Sequence, residues 1–147
     1  MKISDNSTKI LFFLVAISIL FLIILCPLSI KCDFFGNTLK IDKAFICQEL
    51  GDNREPLSVS SSIKYGERQI CLWFRYSSIQ EENYIRISWY LNNELVFAEQ
   101  HKLIDKEGIK AFYLLKEDGL PLPEGFYKVS ISSPTRTLSE IPFIINK

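Results

Sequence analysis

Histidine is almost missing from this chain: His101, within AEQHKLI, is the single one in 147 residues. No serine or cysteine motif surrounds it that would make it a general base, and a solvated strand or loop position accounts for it. An excess of charge is missing too. The 17 basic and 17 acidic residues cancel and are spread through the chain, which removes the clustered Lys and Arg that a nucleic-acid footprint needs. No glycine-rich phosphate loop is present. The cysteines, Cys26, Cys32, Cys47 and Cys71, lie too far from one another and from His101 for a zinc site. Internal repeats and low-complexity tracts are absent apart from one apolar run. The expectation is a non-enzyme with no catalytic, cofactor-binding or metal-ligating residues. The carboxylates Glu81, Glu82, Asp105, Glu107, Glu117 and Asp118 gather in segments read as loops. Paired acids serve glycoside chemistry, so an accessory hydrolase stands as an alternative, although acids beside lysines are the ordinary pattern of a surface.

What the chain does have is a long stretch without charge. Residues 10–30, ILFFLVAISILFLIILCPLSI, are dominated by Leu, Ile, Phe and Val. At about 1.5 Å per residue they reach roughly 30 Å as a helix, the thickness of a bilayer's hydrocarbon core. Soluble helices seldom run this far without a polar face, and Pro27 comes late enough to mark the exit. Residues 1–9 are a polar tail with Lys2 and Lys9. The segment CPLSIKCDFF offers no small-residue cleavage site, and neither Cys26 nor Cys32 follows the small residue that a lipoprotein site requires. An uncleaved signal-anchor is therefore expected, with a secreted domain after cleavage as the alternative. Lysines flank the run on both sides, at 2 and 9 and at 31, 40 and 43, so the positive-inside count barely discriminates. A short leading tail favours an extracytoplasmic position for the rest of the chain.

Residues 31–43 read as a spacer, broken at Gly36-Asn37. From residue 44 to 147 the pattern turns to period two, the mark of half-buried strands. Strands are expected at 44–50, weakly at 59–65, and at 68–76, 84–91, 94–98 (running on to 104), 109–116, 126–131 and 137–145. The segment 68–76 sets Ile70, Leu72, Phe74 and Tyr76 on one face and Cys71 and Trp73 on the other, as a central strand does. Turns are expected at Asn92-Asn93, Lys106-Glu107-Gly108 and Ser132-Ser133-Pro134, and Pro142 suits an edge strand. Short strands at regular spacing without helical period predict an all-β, antiparallel β-sandwich, and an inward Trp89 suits an immunoglobulin-like core. Cys47 and Cys71 admit either a disulfide or two buried thiols. Asn53, Arg54 and Glu55 form a candidate binding loop, with a structural turn in which Arg54 pairs with an acid as the competing reading. Tyr65, Trp73, Tyr76, Tyr84 and Tyr90 fit core filling better than a sugar or peptide platform.

From about Ile46 to Ile145 the domain resembles a bacterial family of uncharacterised, often membrane-attached immunoglobulin-like domains. Cys47 ends an early strand, and Arg54-Glu55-Pro56-Leu57 is similar to that family's R-E-P-[VL] element. Cys71 and Trp89-Tyr90 follow in order. Gly125, Tyr127, Val129 and Ile131 then match a G-x-[WY]-x-V-x-[VI] strand, and Leu138 and Phe143 a terminal L-x(4)-F-x-[VI]. Ile87 and the stretch Ala111 to Lys116 depart from the histidine and the Trp/Ser/Lys-rich strand of many relatives. The resemblance implies no chemistry, but it does imply a Cys47–Cys71 disulfide. The expectation is a single-pass membrane protein, held in the cell membrane through residues 10–30. Its domain would bind or scaffold a partner protein or envelope component, and no nucleic acid.

Overall fold

A computed structural model describes residues 39–147. The tail at 1–9, the apolar run at 10–30 and the spacer up to residue 38 lie outside the described residues. Ten strands follow one another. They are β1 (Lys40–Cys47), β2 (Glu49–Leu50), β3 (Pro56–Leu57), β4 (Ser62–Lys64) and β5 (Gln69–Ser77). Next come β6 (Asn83–Leu91), β7 (Glu94–Leu103), β8 (Glu107–Leu115), β9 (Gly125–Ser132) and β10 (Thr137–Asn146). A three-stranded sheet in the order β1-β5-β8 packs against a five-stranded sheet in the order β4-β10-β9-β6-β7, and β2 and β3 form a small hairpin. This is a β-sandwich. Among the described residues no helix is long and apolar enough to cross a membrane.

Strand β5 shows why these residues choose this architecture. Its β-branched and aromatic side chains suit a pleat, and it is apolar on both faces because both faces are covered. Ile70, Leu72, Phe74 and Tyr76 enter the main core with Ile85, Ile87, Trp89, Val129, Ile131 and Phe143. Cys71 and Trp73 turn the other way and pack with Cys47 in a second, smaller core. Each fully buried aliphatic or aromatic side chain contributes roughly 1.5–3 kcal/mol relative to exposure. Rings order the main core: Trp89 stands edge-on to Phe143 at 6.3 Å, which stacks on Tyr127 at 5.0 Å.

Several sequence expectations change here. The first strand begins at Lys40, inside the predicted spacer, and it pairs Lys40 with Ser77 and Cys47 with Cys71. Leu39 just before it is fully buried, with its carbonyl accepting from Arg136 Nη2 at 3.3 Å. Glu107 and Gly108, predicted as turn, already pair with Ser77 and Tyr76 in strand β8. The sandwich is not wholly antiparallel. The short β4 runs parallel to the end of β10, Ser62 beside Ile144 and Lys64 beside Asn146. Pro142 lies in an inner strand, but β4 reaches only from Ile144 onward, so β10 has β9 alone beside it at the proline.

Candidate functional site

Two surface features stand out, at the outer face of the small sheet and along one edge of the large one. On the outer face, side chains line up in rungs because the registers of β1, β5 and β8 coincide. Cys47, Cys71 and Tyr113 make one rung, and Phe45, Trp73 and Ala111 the next. Phe45 stacks on Trp73 at 5.9 Å. Leu50 of the β2–β3 hairpin packs onto this cluster. The indole N–H of Trp73 donates to the Arg54 carbonyl at 2.7 Å, which pins the hairpin's tip to the sheet.

The predicted loop Asn53, Arg54, Glu55 is that tip. Gly51 N–H donates to the Glu55 carbonyl and Arg54 N–H to the Gly51 carbonyl, both at 2.9 Å. Arg54 takes a φ of 58°, a left-handed conformation that a side chain adopts only where its surroundings hold it. The competing reading of a structural turn fits the backbone, but the expected ion pair is absent. No acid among the described residues pairs with Arg54, and all three side chains are exposed.

Cys47 and Cys71 are both fully buried free thiols, so the disulfide implied by the resemblance is not formed in this structure. The Cys47 thiol donates weakly to the Cys71 carbonyl at 3.7 Å. The two thiols perturb each other in opposite directions. The hydrogen bond between them, joined by burial, pushes Cys47 well above the usual thiol range. The same bond lowers Cys71, helped by the Tyr113 hydroxyl and opposed by burial.

The second feature is β7, an edge strand of the five-stranded sheet. Leu95, Val96 and Phe97 are exposed on it, where the β6–β7 register slips by one residue between Trp89 and Tyr90. This bulge interrupts alternation, so three consecutive apolar side chains reach solvent. Beneath them runs a groove of about 570 Å³, lined by Leu91, Val96, Phe97, Leu115, Leu122 and Tyr127. Glu117 and Asp118 also line it, both exposed to solvent. Asp118 is paired with Lys116 at 3.0 Å, whereas Glu117 has no ion-pair partner among the described residues. Nothing in the sequence singled out this groove, because its walls come from β6, β7, β8, β9 and the long loop before β9.

The remaining candidates are dispersed. His101 lies on β7 with its ring against Phe112 at 4.4 Å and Nε2 2.7 Å from Glu99 Oε2. Glu82 pairs with Lys102 at 2.8 Å and Glu81 with Lys106 at 3.6 Å, while Asp105 and Glu107 join no such pair among the described residues. Among the described residues no three His, Cys, Asp or Glu side chains gather as a metal site would require. Of the aromatics, Tyr76 and Trp73 are core. Tyr84 lies under Lys102 at 5.9 Å and Tyr90 under Lys128 at 5.1 Å.

No protein-family profile matches the chain, and no curated protein matches it. Among solved structures it is similar to an immunoglobulin-like protein, PA1606, from Pseudomonas aeruginosa. The TM-score is 0.51 at 10% identity, covering 74% of this chain and 96% of that one. It also overlaps parts of two larger enzymes. One is a β-glucosidase, EmGH1, from Erythrobacter marinus (TM-score 0.49, 10% identity, 75% of this chain and 16% of that one). The other is an alkylpurine DNA glycosylase, AlkC, from Pseudomonas fluorescens (TM-score 0.48, 13% identity, 77% and 32%). The described part of the chain is an immunoglobulin-like β-sandwich.

Proposed function

We propose that this chain is a single-pass membrane protein whose extracytoplasmic sandwich docks a partner protein along strand β7. One observation carries the docking reading: an edge strand with an unpaired backbone presents Leu95, Val96 and Phe97 beside an apolar groove. Proteins ordinarily blunt such edges with charge or proline, because an open apolar edge invites another strand. The occupant proposed is an extended segment of the partner. Its backbone would add to β7 and its alternate apolar side chains would enter the groove, the mode of β-strand addition. Glu117, which lines the groove and has no ion-pair partner among the described residues, favours a Lys or Arg at one end of that segment. The membrane reading is supported by the uncharged residues 10–30, and the family resemblance agrees with an attached domain.

The test is photocrosslinking in intact cells from a probe at Val96, with a second probe at Lys64 on the opposite edge as control. The expected result is one discrete adduct from position 96 that disappears when Phe97→Lys is added. Equal adduct patterns from both edges, or none from position 96, would sink the docking reading. Membrane-impermeant thiol labelling of an introduced surface cysteine, Ser61→Cys, reads the orientation independently. Labelling before lysis is expected, and labelling only after lysis places the domain in the cytoplasm.

A further inference from the structure

We propose that Cys47 and Cys71 are a redox-reactive thiol pair, closed to a cross-strand disulfide by a small-molecule or protein disulfide as oxidant. The inference does not depend on the docking reading. The two residues are direct cross-strand partners on β1 and β5, with side chains on the same outer face of the sheet. Opposed residues of an antiparallel pair have Cα atoms about 4.5–5.5 Å apart, within the range of about 4.4–6.8 Å that a disulfide spans. The register therefore sets the two thiols opposite each other at a backbone spacing that a disulfide can span.

Geometry also supplies unequal roles. Cys71 sits between Cys47 and Tyr113 in its rung, flanked by an S–H and an O–H group. Both neighbours favour its thiolate, and the thiolate is the nucleophile of exchange. Cys71 attacks one sulfur of the oxidant's disulfide, forming a mixed disulfide and expelling one thiolate. Cys47 then loses its proton to solvent and attacks the Cys71 sulfur, expelling the second thiolate. Two protein thiols and one disulfide become one protein disulfide and two thiols, with two electrons passed to the oxidant.

Access is through the hairpin. Its strands have two residues each, pairing Glu49 with Leu57 and Leu50 with Pro56, and its tip is held by the Trp73–Arg54 hydrogen bond. A clip this small opens without unfolding the sandwich, as low-stability segments do. Cys47 lies two residues before β2, so closing the bond anchors the root of the loop that carries Asn53, Arg54 and Glu55.

The test uses the full chain in detergent with Cys26→Ser and Cys32→Ser, equilibrated across a series of reduced and oxidised glutathione. Remaining thiols are then labelled after denaturation and the linkage is mapped by mass spectrometry. The expected result is joint loss of both labels, with a Cys47–Cys71 peptide lighter by two hydrogens. With Cys47→Ser added, a glutathione mixed disulfide is expected to accumulate on Cys71. Two fully labelled thiols across the whole series, or only intermolecular and glutathione adducts without the Cys47–Cys71 link, would overturn the proposal. Mapping the unmodified four-cysteine chain under the same series guards against a folding defect in the serine variants. There a Cys47–Cys71 link supports the proposal, and its absence counts against it.

Discussion

Trp89 carries the largest single burial in the domain and also an unmet need. Its side chain is fully buried, yet its indole N–H has no acceptor among the described residues. A buried unsatisfied donor costs roughly 1–3 kcal/mol, whereas emptying a buried aromatic site costs roughly 3–5 kcal/mol. The two effects oppose each other in Trp89→Phe, which keeps a ring against Phe143 and removes the orphan N–H. Urea unfolding is therefore expected to show Trp89→Ala losing about 3–5 kcal/mol and Trp89→Phe losing less than half of that. Equal losses would mean that the N–H is satisfied in solution. Tyr127 makes a second residue-scale prediction. Burial pushes its phenol up to about 12 from 10.0, and its hydroxyl donates to the Pro123 carbonyl at 2.8 Å. The folded state thus keeps this proton across an interval in which the unfolded chain has lost it. The associated stability is whole below the unfolded value of 10.0 and is lost as pH rises towards about 12. Denaturant curves should show Tyr127→Phe removing about 2 kcal/mol of the alkaline decline. Tyr76 and Tyr113 are also raised by burial, so part of the wild-type slope survives the substitution.

Among the elements, the β6–β7 hairpin separates two uses of asparagine. Asn92 and Asn93 take φ of 51° and 71°, the positive pair that a two-residue turn requires. Asn92 does more: its Oδ1 accepts from Phe126 N–H at 3.1 Å, and its own N–H donates to the Phe126 carbonyl at 2.8 Å. Asn93→Gly is expected to be neutral or to stabilise by a few tenths of a kcal/mol, while Asn92→Ala costs about 1–2 kcal/mol. Thermal melts are read with Asn92→Gly beside them, which keeps the positive φ and drops only the side-chain acceptor: a neutral Asn92→Gly would mean that only backbone conformation matters at this turn. This turn was legible in the sequence because asparagine's tolerance of positive φ is local chemistry. So were the two faces of β5 and the inward side of β6, where alternation follows directly from burial. Other features depended on partners far along the chain. Lys40 to Lys43 looked like spacer because charges alternate with one apolar residue, and only pairing with β5 makes them strand. The parallel contact of β4 with β10 joins segments about eighty residues apart through side chains with no shared pattern. The β7 groove was hidden for a related reason: a bulge breaks alternation, so Leu95-Val96-Phe97 read as ordinary strand rather than exposed edge. At the cysteines the sequence resemblance implied a bond, whereas the structure contains the facing geometry with the thiols free.

At the scale of the molecule, the residues from Asn37 to Lys147 form a compact unit with a buried core of its own. A unit of this size buries enough apolar surface to fold alone. A chain starting at Asn37 should therefore melt cooperatively, within a few degrees of the full chain in detergent, and remain in the aqueous fraction. The full chain, retaining residues 10–30, is expected to resist extraction of membranes by alkaline carbonate. The truncated chain has a further use because it leaves Cys26 and Cys32 behind and keeps only Cys47 and Cys71. Closing a loop of about 25 residues removes conformational freedom from the unfolded ensemble, worth about 3.5 kcal/mol in the chain-entropy account. Its melting temperature should therefore rise when oxidised glutathione replaces reduced glutathione, and that rise should vanish in Cys71→Ser. A rise that persists in Cys71→Ser would assign the stabilisation to something other than the cross-strand bond. Non-cooperative melting of the truncated chain would show that residues 1–36 contribute to the stability of the sandwich itself.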